Sequence, residues 1–342
     1  CGFLGSNLTA HFLKLGCHVI IVDALYRKGA LNNLEWLKTL KHTGQLSFHN
    51  FDISNFESLE KLFKLFVKFD YVCHVAGQVA MTTSIDDPRK DLMTNVLGSF
   101  NVLECVRKFS PNALIAYSST NKVYGDLNWL RLQENFTRYF PIDYPNGLDE
   151  NLPLDFSTPY GCSKGSADQY FRDWSRVYGI KTVVFRHSSI YGGRQFASFD
   201  QGWVGWFCSQ AINQSTQIQK REIKQSFTIS GTGKQVRDVL HSSDLISLYE
   251  SAYNYKEKVS GKIFNIGGGI NNSLSLLELF DILSEKLDMD NLSYKKLERR
   301  KSDQDYFVAN INSIKSLINW EPKVSFNDGI DQMIDWTKKI IK

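Results

Sequence analysis

The feature that most constrains this chain is an alternation. Short β-rich apolar runs (HVIIVDAL at 18–25, LSFHNFDI at 46–53, FDYVCHVAG at 69–77, ALIAYSS at 113–119 and IKTVVFRHSS at 180–189) are separated by segments with helical periodicity. In SLEKLFKLFVKF, at 58–69, apolar residues recur three and four positions apart, the spacing that gathers them on one helix face. Parallel strands need long crossover connections, and a crossover helix must bury its apolar face on the sheet. The repeated alternation therefore predicts an α/β protein: a Rossmann-like, doubly wound parallel sheet covered by helices on both faces.

The rhythm breaks twice. The stretch 126–153 mixes Asn, Pro, Asp and aromatic residues without period, which predicts a long loop between a strand and the next helix. After about residue 190 the pattern is less regular, with FTISGTGKQVRDVLH at 227–241, a helix from Ser243 and KIFNIGGG at 262–269. We read residues 1–185 as a dinucleotide-binding Rossmann domain. Residues 186–342 form mainly a smaller, discontinuous substrate-binding lobe, with some segments returning to the first domain. The chain opens on Cys1, inside a glycine-rich turn, which predicts that the strand before that turn lies outside it.

Composition narrows the function classes. With 42% hydrophobic residues over 342 positions, the chain can bury one large core or two linked ones. Its 40 basic and 36 acidic residues are interspersed and leave a net charge of +4, which argues against a nucleic-acid-binding face. No apolar run approaches the roughly 20 residues that span a bilayer, and no leader-like start is present, so a soluble protein without a membrane partner is expected. Cys1, Cys17, Cys73, Cys105, Cys162 and Cys208 form no CxxC pair. Neither a disulfide framework nor a metal site is expected, and a reducing cytoplasm fits.

Gly2-Phe3-Leu4-Gly5 precedes an apolar helical stretch that leads into HVIIVD. Glycines here let the backbone approach a pyrophosphate, whose charge the free N–H groups of a helix N-terminus stabilise. A helix-packing glycine pair explains GxxG equally well. Asp23 adds weight, since it ends the next strand where a carboxylate accepts hydrogen bonds from an adenosine ribose diol and repels a 2′-phosphate. This favours NAD over NADP, with Arg27 close enough to soften the preference. After the following strand, Asp52 can bond the adenine amine and Ile53 pack on its face; an aspartate that only makes a turn is the alternative.

Tyr160 and Lys164 open a helical segment four residues apart, on one face and one turn apart. A phenol titrates near ~10, so a base at neutral pH needs a neighbouring cation, which Lys164 and a positively charged nicotinamide would provide. Upstream, Ser119 and Thr120 end a strand at the carboxyl edge, where doubly wound folds place ligands. Either hydroxyl can bond a substrate hydroxyl or the ketone formed from it, or simply cap the next turn. Asn95, in DLMTNVLGSFNVLE, would orient a water or the lysine, or be a plain polar helix residue.

Together, GxxG, the acid after the second strand, HVAG at 74–77, Asn95, SST at 118–120, YxxxK at 160–164 and RDVLH at 237–241 resemble the extended short-chain dehydrogenases/reductases acting on nucleotide sugars. The resemblance runs from Cys1 to about Trp336. It sharpens, through STPYGCSKG at 157–165, FRHSSIYGGRQFA at 185–197, DQGWVGWF at 200–207, GKQVRDVLH at 233–241 and SDQ at 302–304, toward the branch that inverts C2 of CDP-3,6-dideoxyhexoses. It implies bound NAD, a CDP-sugar substrate and a homo-oligomer, dimer or tetramer. It also implies Thr120, Tyr160 and Lys164 as the catalytic group, with Ala76, Gly77 and Asn95 on the cofactor. Arg237 and Arg300 would hold the diphosphate, and Ser188 and Arg194 would contact substrate. Dehydratases of this family carry Asp-Glu directly after the Thr, whereas this chain has Asn121-Lys122. A 4-epimerase, a 4,6-dehydratase and a non-catalytic NAD-binding protein remain the alternatives.

Overall fold

The computed structural model describes residues 1–66, 68–223 and 225–341. The strands, in chain order, are β1 (His18–Val22), β2 (Gln45–His49), β3 (Tyr71–His74), β4 (Leu114–Thr120), β5 (Leu132–Glu134), β6 (Tyr139–Pro141), β7 (Thr182–His187), β8 (Ser189–Tyr191), β9 (Phe227–Ser230), β10 (Val236–His241), β11 (Lys262–Ile266), β12 (Ser273–Ser275), β13 (Tyr294–Leu297) and β14 (Tyr306–Phe307). A four-stranded sheet runs β11-β7-β4-β3, parallel throughout, and β1 pairs in parallel with β2.

Side-chain alternation explains why both faces of this sheet are covered. Leu114, Ala116, Val183 and Phe185 pack with Leu8 of the helix Phe3–Lys14 and with Leu248 and Tyr249 of the helix Ser242–Asn254. Their neighbours Ile115, Tyr117 and Val184 pack on the other side against the helices Gly98–Phe109 and Thr158–Tyr178. This is the doubly wound arrangement expected from the alternation. Directly after β7, β8 pairs with β10, which also pairs with β12 and β14. A separate core forms there between the helices Trp203–Gln219, Leu276–Lys286 and Phe326–Ile341, around Phe207, Phe280 and Met333.

Local structure departs from the expectations at three places. The predicted helix at 58–69 is the helix Phe56–Leu65, capped by Asn55, whose side chain accepts from the Ser58 amide; position 67 lies outside the described residues. The expected loop at 126–153 contains the antiparallel hairpin β5–β6. The run at 46–53 stops pairing at His49, because the Asp52 carboxylate accepts the Ser54 amide at 2.8 Å and turns the chain toward the helix. Among the described residues no helix is long and apolar enough to cross a membrane, and no group of three His, Cys, Asp or Glu side chains could hold a metal.

Candidate active site

A cavity of about 1090 Å³ lies along the carboxyl ends of β1, β4 and β7. One end is the Gly2–Gly5 turn, where Gly2 caps the helix Phe3–Lys14 without a side-chain bond, leaving the first-turn N–H groups to a ligand. A Cβ on Gly5 would stand 3.4 Å from Val75, so the turn packs closely on the sheet. Asp23 lines this end, its carboxylate accepting from the Leu25 amide at 2.6 Å. Arg27 lies nearby, in the field of Asp200. Asp52 and Ile53 also line the wall; Ile53 is packed over Gly98, where a Cβ would come within 2.7 Å of it. One Asp52 oxygen makes the turn that sequence reasoning offered as its alternative role.

Thr120, Tyr160 and Lys164 line the same cavity. The helix Thr158–Tyr178 begins with Pro159 in its first turn and ends at the left-handed Gly179, which places Tyr160 at its start with Lys164 one turn on. The Lys164 ammonium is 4% exposed; it donates to the Ser118 carbonyl at the end of β4 and sits 4.3 Å above the Tyr117 ring. Burial pushes Lys164 down to about 7, opposed by the Asp168 and Asp91 carboxylates. Burial pushes the Tyr160 phenol up to about 12; the Thr120 hydroxyl beside it pulls the other way, and Asp91 adds to the rise. The Lys164 ammonium uses one of its three donors on Ser118, and Thr120 is the side chain whose hydrogen bond favours the phenolate.

Below the pair, Arg186 of β7 grips Asp168 of the helix through two bonds of 2.9 Å and donates to the Tyr124 hydroxyl at 2.9 Å. Both charges are almost fully buried, so the bidentate geometry has to offset a large desolvation cost, and it locks the catalytic helix to the sheet.

Two candidates have their polar side-chain atoms engaged by protein partners, although Ser119 is part of the cavity wall. Ser119 turns its hydroxyl to Asp168 at 2.8 Å, because strand alternation points it opposite to Ser118 and Thr120. The Asn95 amide, 1% exposed, is spent on the Gln78 backbone, Asp91 and Ser163. It braces the turn after Ala76 and Gly77, where a Cβ on Gly77 would come within 2.8 Å of its oxygen. Asn95 thus supports the turn that carries Gly77.

Arginines also line the cavity. Arg237 reaches the cavity from β10, tied to Asp303 at 2.9 Å and to the Gln304 carbonyl at 2.7 Å. Arg300 lies over the Phe199 ring at 4.7 Å. Ser188 donates to the Asp238 carbonyl at 3.2 Å. Arg194 lines the cavity but is sandwiched between Trp36 and Trp336, 3.9 and 4.8 Å away, linking a helix of the first sheet to the last helix of the chain. Sequence reasoning passed over Lys122 and His187. Lys122, directly after SST-Asn121, lines the cavity and is pushed down to about 8 by burial, with Arg237 adding.

A glycine turn, a Tyr-Lys pair and an arginine-rich end sharing one cleft define an enzyme that reworks a sugar carried on a nucleotide, and the comparisons agree. The family model described as GDP-mannose 4,6 dehydratase matches residues 1–333, and the chain belongs to that family. More particularly, it is 53% identical over 340 residues to the CDP-paratose 2-epimerase of Salmonella typhi, covering 99% of this chain and 98% of that one. The UDP-glucose 4-epimerase of Thermotoga maritima, solved with UDP-glucose, superposes with a TM-score of 0.81 at 26% identity over 100% of this chain and 97% of that one. The dTDP-glucose 4,6-dehydratase of Bacillus anthracis, solved with NAD, gives 0.75 at 25% identity over 99% and 94%.

Proposed function

We propose that this chain is an NAD-dependent epimerase that inverts C2 of a CDP-3,6-dideoxyhexose, interconverting CDP-paratose and CDP-tyvelose. The observation that carries the reading is that Thr120, Tyr160 and Lys164 line one cavity together with the Gly2–Gly5 turn, Arg237 and Arg300, in a chain half identical to a 2-epimerase. Asn121-Lys122 stands where a dehydratase of this family carries its acid pair, which disfavours elimination.

No carbonyl neighbours C2 in such a sugar, so its C–H is not acidic and the carbon must be oxidised before it can be inverted. NAD⁺, when bound, supplies the hydride acceptor and the positive charge beside the phenol. The Gly2–Gly5 turn, with first-turn N–H groups that no side chain caps, and Asp23 fit its pyrophosphate and adenosine ribose. Tyr160 takes the proton of the C2 hydroxyl and returns it to the ketone oxygen as the hydroxyl re-forms on the inverted carbon. Thr120 holds that oxygen, and Lys164 keeps a donor on the β4 edge. Arg237 and Arg300 grip the diphosphate while the sugar turns between them and the phenol. The six free cysteines suit the cytoplasm.

Offering CDP-paratose, CDP-tyvelose and UDP-glucose in parallel tests the assignment. Inversion at C2 of the two CDP-sugars, with UDP-glucose unchanged, is expected; inversion of UDP-glucose at C4 would replace this reading with a 4-epimerase.

A further inference from the structure

The short helix Pro88–Leu92 packs against the helix Thr158–Tyr178, and its Asp91 is 1% exposed. One Asp91 carboxylate oxygen accepts from the Asn95 amide at 3.1 Å, and the other has no hydrogen-bond partner among the described residues. Among those residues the cation whose field reaches it is Lys164. Burying a carboxylate without a cation bonded to it is costly, and the bond to Asn95 does not need the charge. An asparagine would accept the same bond at a smaller desolvation cost, so the charge calls for another use.

Lys164 supplies one. Its ammonium is itself buried, with one of its three donors on the Ser118 carbonyl. Asn95 connects the two groups: its amide bonds Asp91 and, at 3.0 Å, Ser163, the residue before Lys164. A Cβ on Gly77 would stand 2.8 Å from the Asn95 oxygen and 3.9 Å from Lys164 Nζ. The other titratable groups around the ammonium are not free to balance it. Asp168, on the same helix, is spent on Arg186 through two bonds. Burial, with the Lys164 charge adding, holds His74 of β3 and His187 of β7 neutral, at about 3. Burial, with Asp168 adding, keeps the Tyr117 phenol of β4 far above its ordinary range, and Tyr160 is held at about 12. Asp91 is the remaining carboxylate in reach.

We propose that Asp91 is a positioning residue: from behind the cavity wall its carboxylate balances the Lys164 ammonium and keeps that lysine charged beside Tyr160 during turnover. The inference rests on the Tyr160–Lys164 reading given above. A charged lysine one turn from the phenol favours the phenolate, and a neutral amine does not. Burial raises the Asp91 carboxyl, while the Ser163 hydroxyl and Lys164 oppose the rise; Asp91 in turn opposes the loss of the Lys164 proton.

Two measurements on the whole chain test this in the native protein, Asp91→Asn and Asp91→Glu. The first needs no substrate: with isotope-labelled lysine, NMR follows the titration of Lys164, its signal assigned as the one missing from Lys164→Met. Asp91→Asn keeps the shape and the acceptor for Asn95 and removes the charge. It should lower the Lys164 midpoint by about one pH unit, the smaller end of what an opposite charge a few ångström away produces. Asp91→Glu, which keeps the charge, should stay nearer the native midpoint. The second is the pH profile of CDP-paratose turnover, whose alkaline limb should move down with the lysine in Asp91→Asn. An unmoved Lys164 midpoint, or a uniform fall in turnover with the alkaline limb in place, makes Asp91 merely structural and overturns the proposal. A native chain that leaves CDP-paratose unchanged overturns the functional reading, and the lysine titration still decides the pairing.

Discussion

A phenol that burial holds at about 12 needs positive charge from its ligand before it can act as a base near neutrality, and this makes Tyr160 dependent on an occupied cofactor site. Tyr160→Phe removes only a hydroxyl from a ring that still packs. Turnover should fall on the scale of ~10²–10⁴ while NAD affinity persists, and a variant retaining most of its turnover would remove Tyr160 from the role. Asp23→Ala should weaken NAD and narrow the gap between NAD and NADP, read by titration of each; an unchanged ratio would contradict the ribose contact. Lys164 makes a prediction about stability. It is held at about 7 against an ordinary 10.5, so between those values the folded chain releases a proton that the unfolded chain still keeps, and stability rises as pH climbs through that window. Lys164→Met should flatten the rise in urea midpoint over the same range, and parallel pH profiles would show that the lysine is not held down. Tyr160 and Lys164 were legible in the sequence because a helix converts a spacing of four into adjacency. His187 was not, since a histidine within an apolar strand reads as core, and its place on the cavity wall exists only in three dimensions.

At the scale of elements, the helix Thr158–Tyr178 is fastened to β7 by the Asp168–Arg186 pair as well as by its apolar face. Asp168→Ala leaves a buried guanidinium without its partner and should cost about 3–5 kcal/mol in denaturant unfolding; a loss under about 1 kcal/mol would mean the helix is held by packing alone. Gly77→Ala should distort the turn above Asn95, where a Cβ has only 2.8 Å, and lower NAD affinity. The longer strands and helices were legible from periodicity, because each buries enough apolar residues to show a repeat. The hairpin β5–β6, two strands of three residues each, was hidden, since three residues cannot display a period. The bond from the Ser119 hydroxyl to Asp168 was hidden for a related reason: SST names three hydroxyls, and only strand alternation decides which face the helix that carries Asp168.

For the molecule as a whole, the alternation implied the layers but left the strand order open, and with it the return of β11 to pair with β7. The return of β11 and the pairing of β8 with β10 bring Arg237 and His187, about fifty residues apart, to the same cavity. The central claim is that this cavity oxidises and re-forms one carbon, C2, without exchange with water. It is tested most directly with CDP-paratose carrying deuterium at C2, turned over in ordinary water and analysed by mass spectrometry and proton NMR. The account predicts CDP-tyvelose that keeps the deuterium at C2 with no solvent hydrogen incorporated there; loss of the label to water in the first turnovers, or a product with C2 uninverted, would contradict it.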